Sequence, residues 1–184
     1  SLPDFLPSFT LLKENDYEFN GYIFLRTQMD PGIQLLLDDH ANIVWYQKSD
    51  TSLSRPFDIS SSDSYLSLYN PSLIYKINFI GDTLLKIDTK GEILHHELTN
   101  DNNNNIIALT YEYKTFDLSN LGGGEKDSIK GDGLVVYDSS GKLVWKWNVF
   151  DHEDPLTYKN INSLKNDWTH GNGIGVTHDN NYVL

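Results

Sequence analysis

Cysteine is absent from the 184 residues. That removes disulfides, thiolate metal sites and cysteine nucleophiles together, while leaving the compartment open. Positive charge is scarce: 14 Lys and Arg stand against 26 Asp and Glu, a net charge of −12. A nucleic-acid binder, which neutralises phosphates with basic patches, is thereby excluded, and so is a polybasic membrane anchor. No run approaches the roughly 20 apolar residues of a membrane-spanning helix. Asn-x-Ser/Thr glycosylation sites are missing too, because Pro71 disqualifies Asn70-Pro71-Ser72. Neither an initiating Met nor the apolar core of a signal peptide precedes Ser1, so the numbering is expected to begin inside a processed or longer chain.

Helical periodicity is equally hard to find. What the chain does have is apolar and aromatic material, 39% and 12% of its residues, enough for a packed core rather than a disordered chain. It comes in short β-branched or aromatic runs bounded by Gly, Asp, Asn and Ser: Tyr22–Leu25, Gln34–Leu37, Ile43–Tyr46, Thr83–Ile87, Ile106–Tyr113, Leu134–Tyr137 and Leu143–Trp147. Short strands joined by tight turns are the reading, and the fold class is all-β.

Three segments align on their turns: QLLLDDHANIVWY from Gln34, TLLKIDTKGEILHH from Thr83 and GLVVYDSSGKLVWK from Gly133. Their aspartates, Asp38, Asp88 and Asp138, recur every 50 residues, with Ala41, Gly91 and Gly141 three positions further on. Asp hydrogen-bonds its own turn and Gly accepts positive φ. A second hairpin signal follows each copy, at Ser60–Tyr69, Asn100–Tyr111 and His178–Leu184. Two hairpins per unit of about 50 residues make a four-stranded unit the size of a β-propeller blade. A β-sandwich is the alternative, although it does not normally show this spacing. Residues 1–184 then hold about three and a half blades, too few to close a ring. A piece of a longer polypeptide, with the remaining blades supplied by the rest of the chain, is expected.

Histidines carry the most chemical information. The first and third copies have Trp45 and Trp145 where the second has His95, followed by His96. His170 stands in Asn166-Asp167-Trp168-Thr169-His170-Gly171-Asn172-Gly173. His96 and His170 each lead into a hairpin, with turns at Asn102–Asn105 and Asp179–Asn181, so they are expected at similar positions in neighbouring blades. Innermost strands line a propeller's channel, where both imidazoles could meet one ligand. His95 is read as packing or support. His40 and His178, at turns, are read as solvated. No His-x₃-His pair or compact carboxylate cluster marks a metal site. No cofactor signature appears either: Gly131–Gly133 lacks the helix of a dinucleotide fingerprint, and Gly122–Gly124 lacks phosphate-loop spacing.

Lys142–Pro155 (KLVWKWNVFDHEDP), Asp167–Gly173 (DWTHGNG) and His95-His96-Glu97 resemble the arylsulfate sulfotransferase family. The resemblance implies a six-bladed β-propeller that moves a sulfuryl group between phenols without a nucleotide sulfate donor. It implies a transiently sulfurylated histidine, assisted by other histidines and an arginine, with phenolic sulfate esters and phenol acceptors as partners and a secreted or periplasmic location. On this resemblance His96 and His170 are catalytic helpers with Asn172 as their neighbour; Asn172, His95 and Trp168 are the candidate substrate-binding residues, Trp168 as an aromatic wall for a phenol ring and His95 in support. The arginine and the nucleophilic histidine would follow Leu184. Sulfate-ester binding further predicts a locally positive channel despite the net charge. Two other readings of the same fold stand beside this one: a non-catalytic propeller that binds a ligand or protein, and a channel-site enzyme of the quinoprotein kind.

Overall fold

Five of the turns share one geometry, and it comes from the residue that opens each. In Asp38–Asn42, Asn78–Asp82, Asp101–Asn105, Asp138–Lys142 and Thr177–Asn181 the first backbone N–H donates to the fifth carbonyl. The fourth N–H donates back to the first carbonyl. The opening side chain accepts from the fifth N–H at 2.7–3.0 Å in all five. The fourth residue takes positive φ: Ala41, Gly81, Asn104, Gly141 and Asn180. Asp, Asn and Thr therefore seal the turn locally, and the flanking apolar runs are free to pair as strands.

The computed structural model describes residues 2–10, 12, 20–27, 32–48, 55–59 and 63–184. These fall into two units, Ser1–Ser54 and Arg55–Leu184. In the first, β1 (Ile23–Arg26), β2 (Ile33–Leu37) and β3 (Ile43–Lys48) form an antiparallel sheet in chain order. Its core is Ile33, Leu35 and Leu37 on β2, packed by Leu6, Leu25 and Ile43.

In the second, β4 (Arg55–Asp58), β5 (Ser64–Asn70), β6 (Leu73–Asn78) and β7 (Thr83–Asp88) make a four-stranded antiparallel sheet. Another follows from β8 (Ile93–Asn100), β9 (Ile106–Phe116), β10 (Asp127–Tyr137) and β11 (Leu143–Asn148), again in chain order. A last pair, β12 (Gly175–Val176) and β13 (Tyr182–Val183), comes after a connection holding the single α-helical turn α1 (Ile161–Leu164). The all-β reading holds, with antiparallel pairing throughout the described strands.

The first half of β9 and the second half of β10 are buried on both faces, which is why β9 opens on a continuous apolar run rather than an alternating one. Ile106 and Ala108, with Val135 and Tyr137, pack against Leu66, Leu68, Ile74 and Ile87 of the β4–β7 sheet. Ile107 and Leu109, with Leu134 and Val136, pack the other way against Trp147, Ile174, Val176 and Tyr182. The two first strands, β4 and β8, are joined by the Thr99 hydroxyl donating to Asp58 at 2.8 Å.

The repeat needs correction at its second copy. Thr83–His96 is not a hairpin: β7 and β8 belong to different sheets. Asp88 accepts from the Lys90 N–H, but Thr89 is tied back to the Ser72 carbonyl, and the five-residue turn does not form. The true counterpart is the β6–β7 turn at Asn78–Asp82. Consequently Trp45 and Trp145 lie on strands that close their sheets, β3 and β11, whereas His95 lies on one that opens a sheet. Of the hairpin signal at Ser60–Tyr69, residues 60–62 lie outside the described residues; the remainder is β5, paired with β4 and β6.

Candidate functional site

The β8–β9 register jumps at the histidines. His95 faces Leu109, and the next pair is Leu98 with Ala108, so His96 and Glu97 are extra residues in a β-bulge. A bulge re-aims side chains. His95 turns into the sheet and is 1% exposed, while His96 is exposed with φ of 45°. Six described non-glycine residues have positive φ. Ala41, Lys90, Asn104 and Asn180 sit in turns; the other two are His96 and His170. Such backbone costs about 1 kcal/mol or more and persists where surrounding bonds enforce it.

Those bonds can be traced. The His95 ring stacks on Tyr111 at 3.8 Å with a 4° tilt. Its Nδ1 lies 2.8 Å from His96 Nδ1, and its Nε2 lies 3.2 Å from Asp132 Oδ1 on β10, close but off the line of a well-formed hydrogen bond. The other Asp132 oxygen accepts from the Thr169 hydroxyl and from the Gly171 N–H. Asp132 in turn donates its own N–H to Thr169 Oγ1 at 2.9 Å. Burial works against the Asp132 charge, but the His95, Thr169 and Gly171 contacts outweigh it and hold the carboxyl below its usual range.

Thr169 and Gly171 bracket His170, whose φ is 51° and whose side chain is 66% exposed. His170 Nδ1 is held by Asp167 Oδ2. The other Asp167 oxygen pairs with Lys130 Nζ at 2.8 Å, and Lys130 lies over the Tyr111 ring. That lysine, with His170, keeps the Asp167 carboxyl low. Glu97 completes the frame by accepting the Ile174 N–H at 2.8 Å. The β8 bulge and the 166–174 loop are thus tied together through Asp132 and Glu97.

Of the residues singled out in the sequence, His95 and His96 are in contact, and His170 joins them through Asp132 and its neighbours rather than directly. His95 is the buried member and His96 the exposed one. Asn172 is exposed and its amide donates to the His170 carbonyl at 3.3 Å. Trp168 packs with Leu118, Ile129, Val149, Phe150 and Ile161, with ring contacts to Phe150 and Tyr158. Its place is behind the loop. A groove of about 540 Å³ is lined by Leu134, Trp145, Trp147, Asn180, Asn181, Tyr182 and Leu184, and none of the five candidates lines it. The local charge differs from the sequence expectation: around the histidines Glu97, Asp132 and Asp167 stand against Lys130, so these residues alone do not make a positive channel. Asp38, Asp39 and His40 bring three ligand atoms within 4.8 Å, a grouping the spacing rules passed over. Asp38 is already engaged there by His40 N–H and Asn42.

Asp132 was not legible as a site residue. Its signal is a carboxylate between two glycines, Gly131-Asp132-Gly133, on a strand otherwise packed in the core. The glycines have a steric reason: a Cβ on Gly133 would lie 2.6 Å from Thr110 Oγ1 and 2.7 Å from the Trp147 carbonyl oxygen.

The fold of the described residues is all-β, and carboxylate–histidine contacts tie the opening strand β8 to the 166–174 loop. Residues 8–184 match the family described as Arylsulfotransferase (ASST), and the chain belongs to that family. Its function is accordingly arylsulfotransferase-like, with phenolic substrates suggested by the family. No curated protein matches the sequence. Among the described residues no helix is long and apolar enough to cross a membrane.

Proposed function

We propose that this chain carries the helper-histidine side of an arylsulfate sulfotransferase site, built on a β-propeller whose blades are the four-stranded sheets. Residues 1–184 would supply about three and a half of these blades. The sheets run in chain order, pack face to face and touch through their first strands, as blades around an axis do. The observation that carries the functional reading is that both exposed histidines, His96 and His170, have Nδ1 engaged by a neighbour. At His170 this leaves Nε2 as the remaining nitrogen. His170 Nδ1 faces the Asp167 carboxylate, which favours a proton there and a lone pair on Nε2.

Such nitrogens suit the transfer. In the first half-reaction a nucleophilic histidine, which the family pattern does not assign to His95, His96 or His170, attacks the sulfur of an aryl sulfate. The S–O bond breaks and the phenolate leaves with the electron pair. An imidazolium at His96 or His170 protonates it. In the second, the acceptor phenol gives its proton to that imidazole, its oxygen attacks sulfur, and the S–N bond breaks. No cofactor enters, and the kinetics are ping-pong. Sulfuryl oxygens gather charge in a loose transition state, by analogy with phosphoryl transfer, and hydrogen-bond donors beside them lower the barrier. Asn172, next to His170, is assigned to that role, and the secreted or periplasmic setting follows the family. His95 is assigned to hold His96 and Trp168 to back the loop.

The test, made on the full-length polypeptide that would also carry the nucleophilic histidine, is release of p-nitrophenol from p-nitrophenyl sulfate with a phenol acceptor. Turnover that falls by about 100-fold or more in His170→Ala supports the proposal; no turnover in the wild-type protein refutes it. One observation favours the second reading, a non-catalytic propeller that binds a ligand or protein: the excess of carboxylates over Lys130 around the histidines suits a cationic or neutral partner better than an anionic ester.

A further inference from the structure

We infer that Asp132 is a positioning residue that sets the proton arrangement of the His95–His96 pair and the backbone of His170 at once. The inference rests on the reading above that His96 and His170 serve sulfuryl transfer. Among the described residues the cluster's ionisable neighbours are His96 and Glu97 on β8, Tyr111 on β9, Lys130 on β10, and Asp167 and His170 on the loop.

The argument follows from what each partner can donate. Asp132 is 4% exposed and has a close contact on each oxygen. One oxygen meets the Thr169 hydroxyl and the Gly171 N–H, and a backbone N–H can only donate. The other meets His95 Nε2 at 3.2 Å. A lone pair there would oppose a carboxylate in a buried site, so Nε2 carries the proton. In the neutral ring Nδ1 is then the acceptor. At 2.8 Å from His96 Nδ1 it takes that proton, which leaves His96 with its lone pair on Nε2. One buried carboxylate thereby decides which nitrogen of an exposed histidine, one residue from its direct partner, is basic. On the loop side the same carboxylate holds both residues flanking His170, and a Cβ on Gly171 would lie 3.0 Å from Asp132 Oδ2.

Asp132→Asn is the sharp variant because it keeps the shape. The amide oxygen must face the Gly171 N–H, so the NH₂ faces His95 Nε2. That forces a lone pair onto His95 Nε2 and a proton onto its Nδ1. His96 Nδ1 then becomes the acceptor, and the His96 proton moves to Nε2. The measurement is the ¹⁵N and ¹H spectrum of histidine-labelled protein at pH 8. Expected for the wild type are Nε2–H at His95 and Nδ1–H at His96, both exchanged in Asp132→Asn. Thr169→Val, which touches only the loop side, keeps the wild-type pattern. Transfer from p-nitrophenyl sulfate falls in Asp132→Asn by roughly 100- to 10,000-fold, the scale of a catalytic imidazole held in the wrong tautomer.

A wild-type His95 protonated on Nδ1 overturns the inference without any variant, which covers the case that Asp132→Asn does not fold. Unchanged His95 and His96 signals in a folded Asp132→Asn also overturn it. The exchange of tautomers in a protein that shows no sulfuryl transfer upholds the positioning by Asp132 and refutes the functional reading instead.

Discussion

The β8 bulge and the 166–174 loop present the same chemical object, an imidazole at positive φ with Nδ1 engaged, and support it in opposite ways. At the bulge the support is buried: His95 and Asp132 are 1% and 4% exposed, and Tyr111 stacks on the ring. At the loop it is superficial: Asp167 and His170 form their contact in solvent, with Lys130 alongside. Surface ion pairs are worth about 1 kcal/mol or less, whereas a buried polar or charged group left without its partner costs about 1–3 kcal/mol or more. The first histidine is therefore fixed by the fold. The second is fixed by its backbone neighbours, Thr169 and Gly171, through a carboxylate that belongs to the first.

The largest test of that contrast is His95→Ala. It strips Asp132 of its ring partner and opens a hole beside Tyr111, and a loss of about 3 kcal/mol in denaturant unfolding is expected. A loss below about 1 kcal/mol would mean that the buried support is not structural. Acid gives the next effect. Asp132 has a folded pKa below its unfolded value near 3.9, so its contribution is fully present above that value and drains as pH falls through the lower folded one. Thermal melts should show little change from pH 7 to pH 5 from this group and a decline below about pH 4, removed in Asp132→Asn. Asp101 behaves alike: burial opposes its charge, but bonds from Asn105, Asn180 and Asn103 prevail.

A smaller loss is expected where the hairpin tips meet. The Tyr182 hydroxyl donates to Asp101 at 3.1 Å, and Asn102 bonds the Thr177 and His178 carbonyls. Tyr182→Phe should cost about 1 kcal/mol. Smallest of all is the stability effect of His170→Ala, within about 0.5 kcal/mol, alongside its large effect on transfer. A destabilisation as large as that of His95→Ala would erase the distinction between the two regions.

The sequence carried the strands well where their residues are apolar. Seven runs read as strands, from Tyr22–Leu25 to Leu143–Trp147, all lie in strands, with ends shifted by a few residues except at β10, which starts well before Leu134. It carried them poorly where chemistry displaces apolar residues. The first half of β10, residues 127–132, is not among the runs that read as strands, because its alternation is broken by Asp132 and two close-packed glycines. The false second repeat has a similar cause. Asp88-Thr89-Lys90-Gly91 has the composition of a hairpin turn, and only the Thr89–Ser72 bonds, 17 residues apart in sequence, show that it joins two sheets. His96 and His170 were legible as a pair by their place before hairpins. The carboxylate between them was not, because Asp132 meets its partners across 37 residues in one direction and from β10 to β8 in the other.

The central claim is that His96 and His170 act on one substrate. Its most direct measurement is a double-mutant cycle on kcat/KM for p-nitrophenyl sulfate with a phenol acceptor, using His96→Ala, His170→Ala and the double variant. Residues that act as a unit are strongly non-additive, so the double variant should lose little more than the worse single variant. Fully additive losses would place the two histidines at separate tasks and contradict the account.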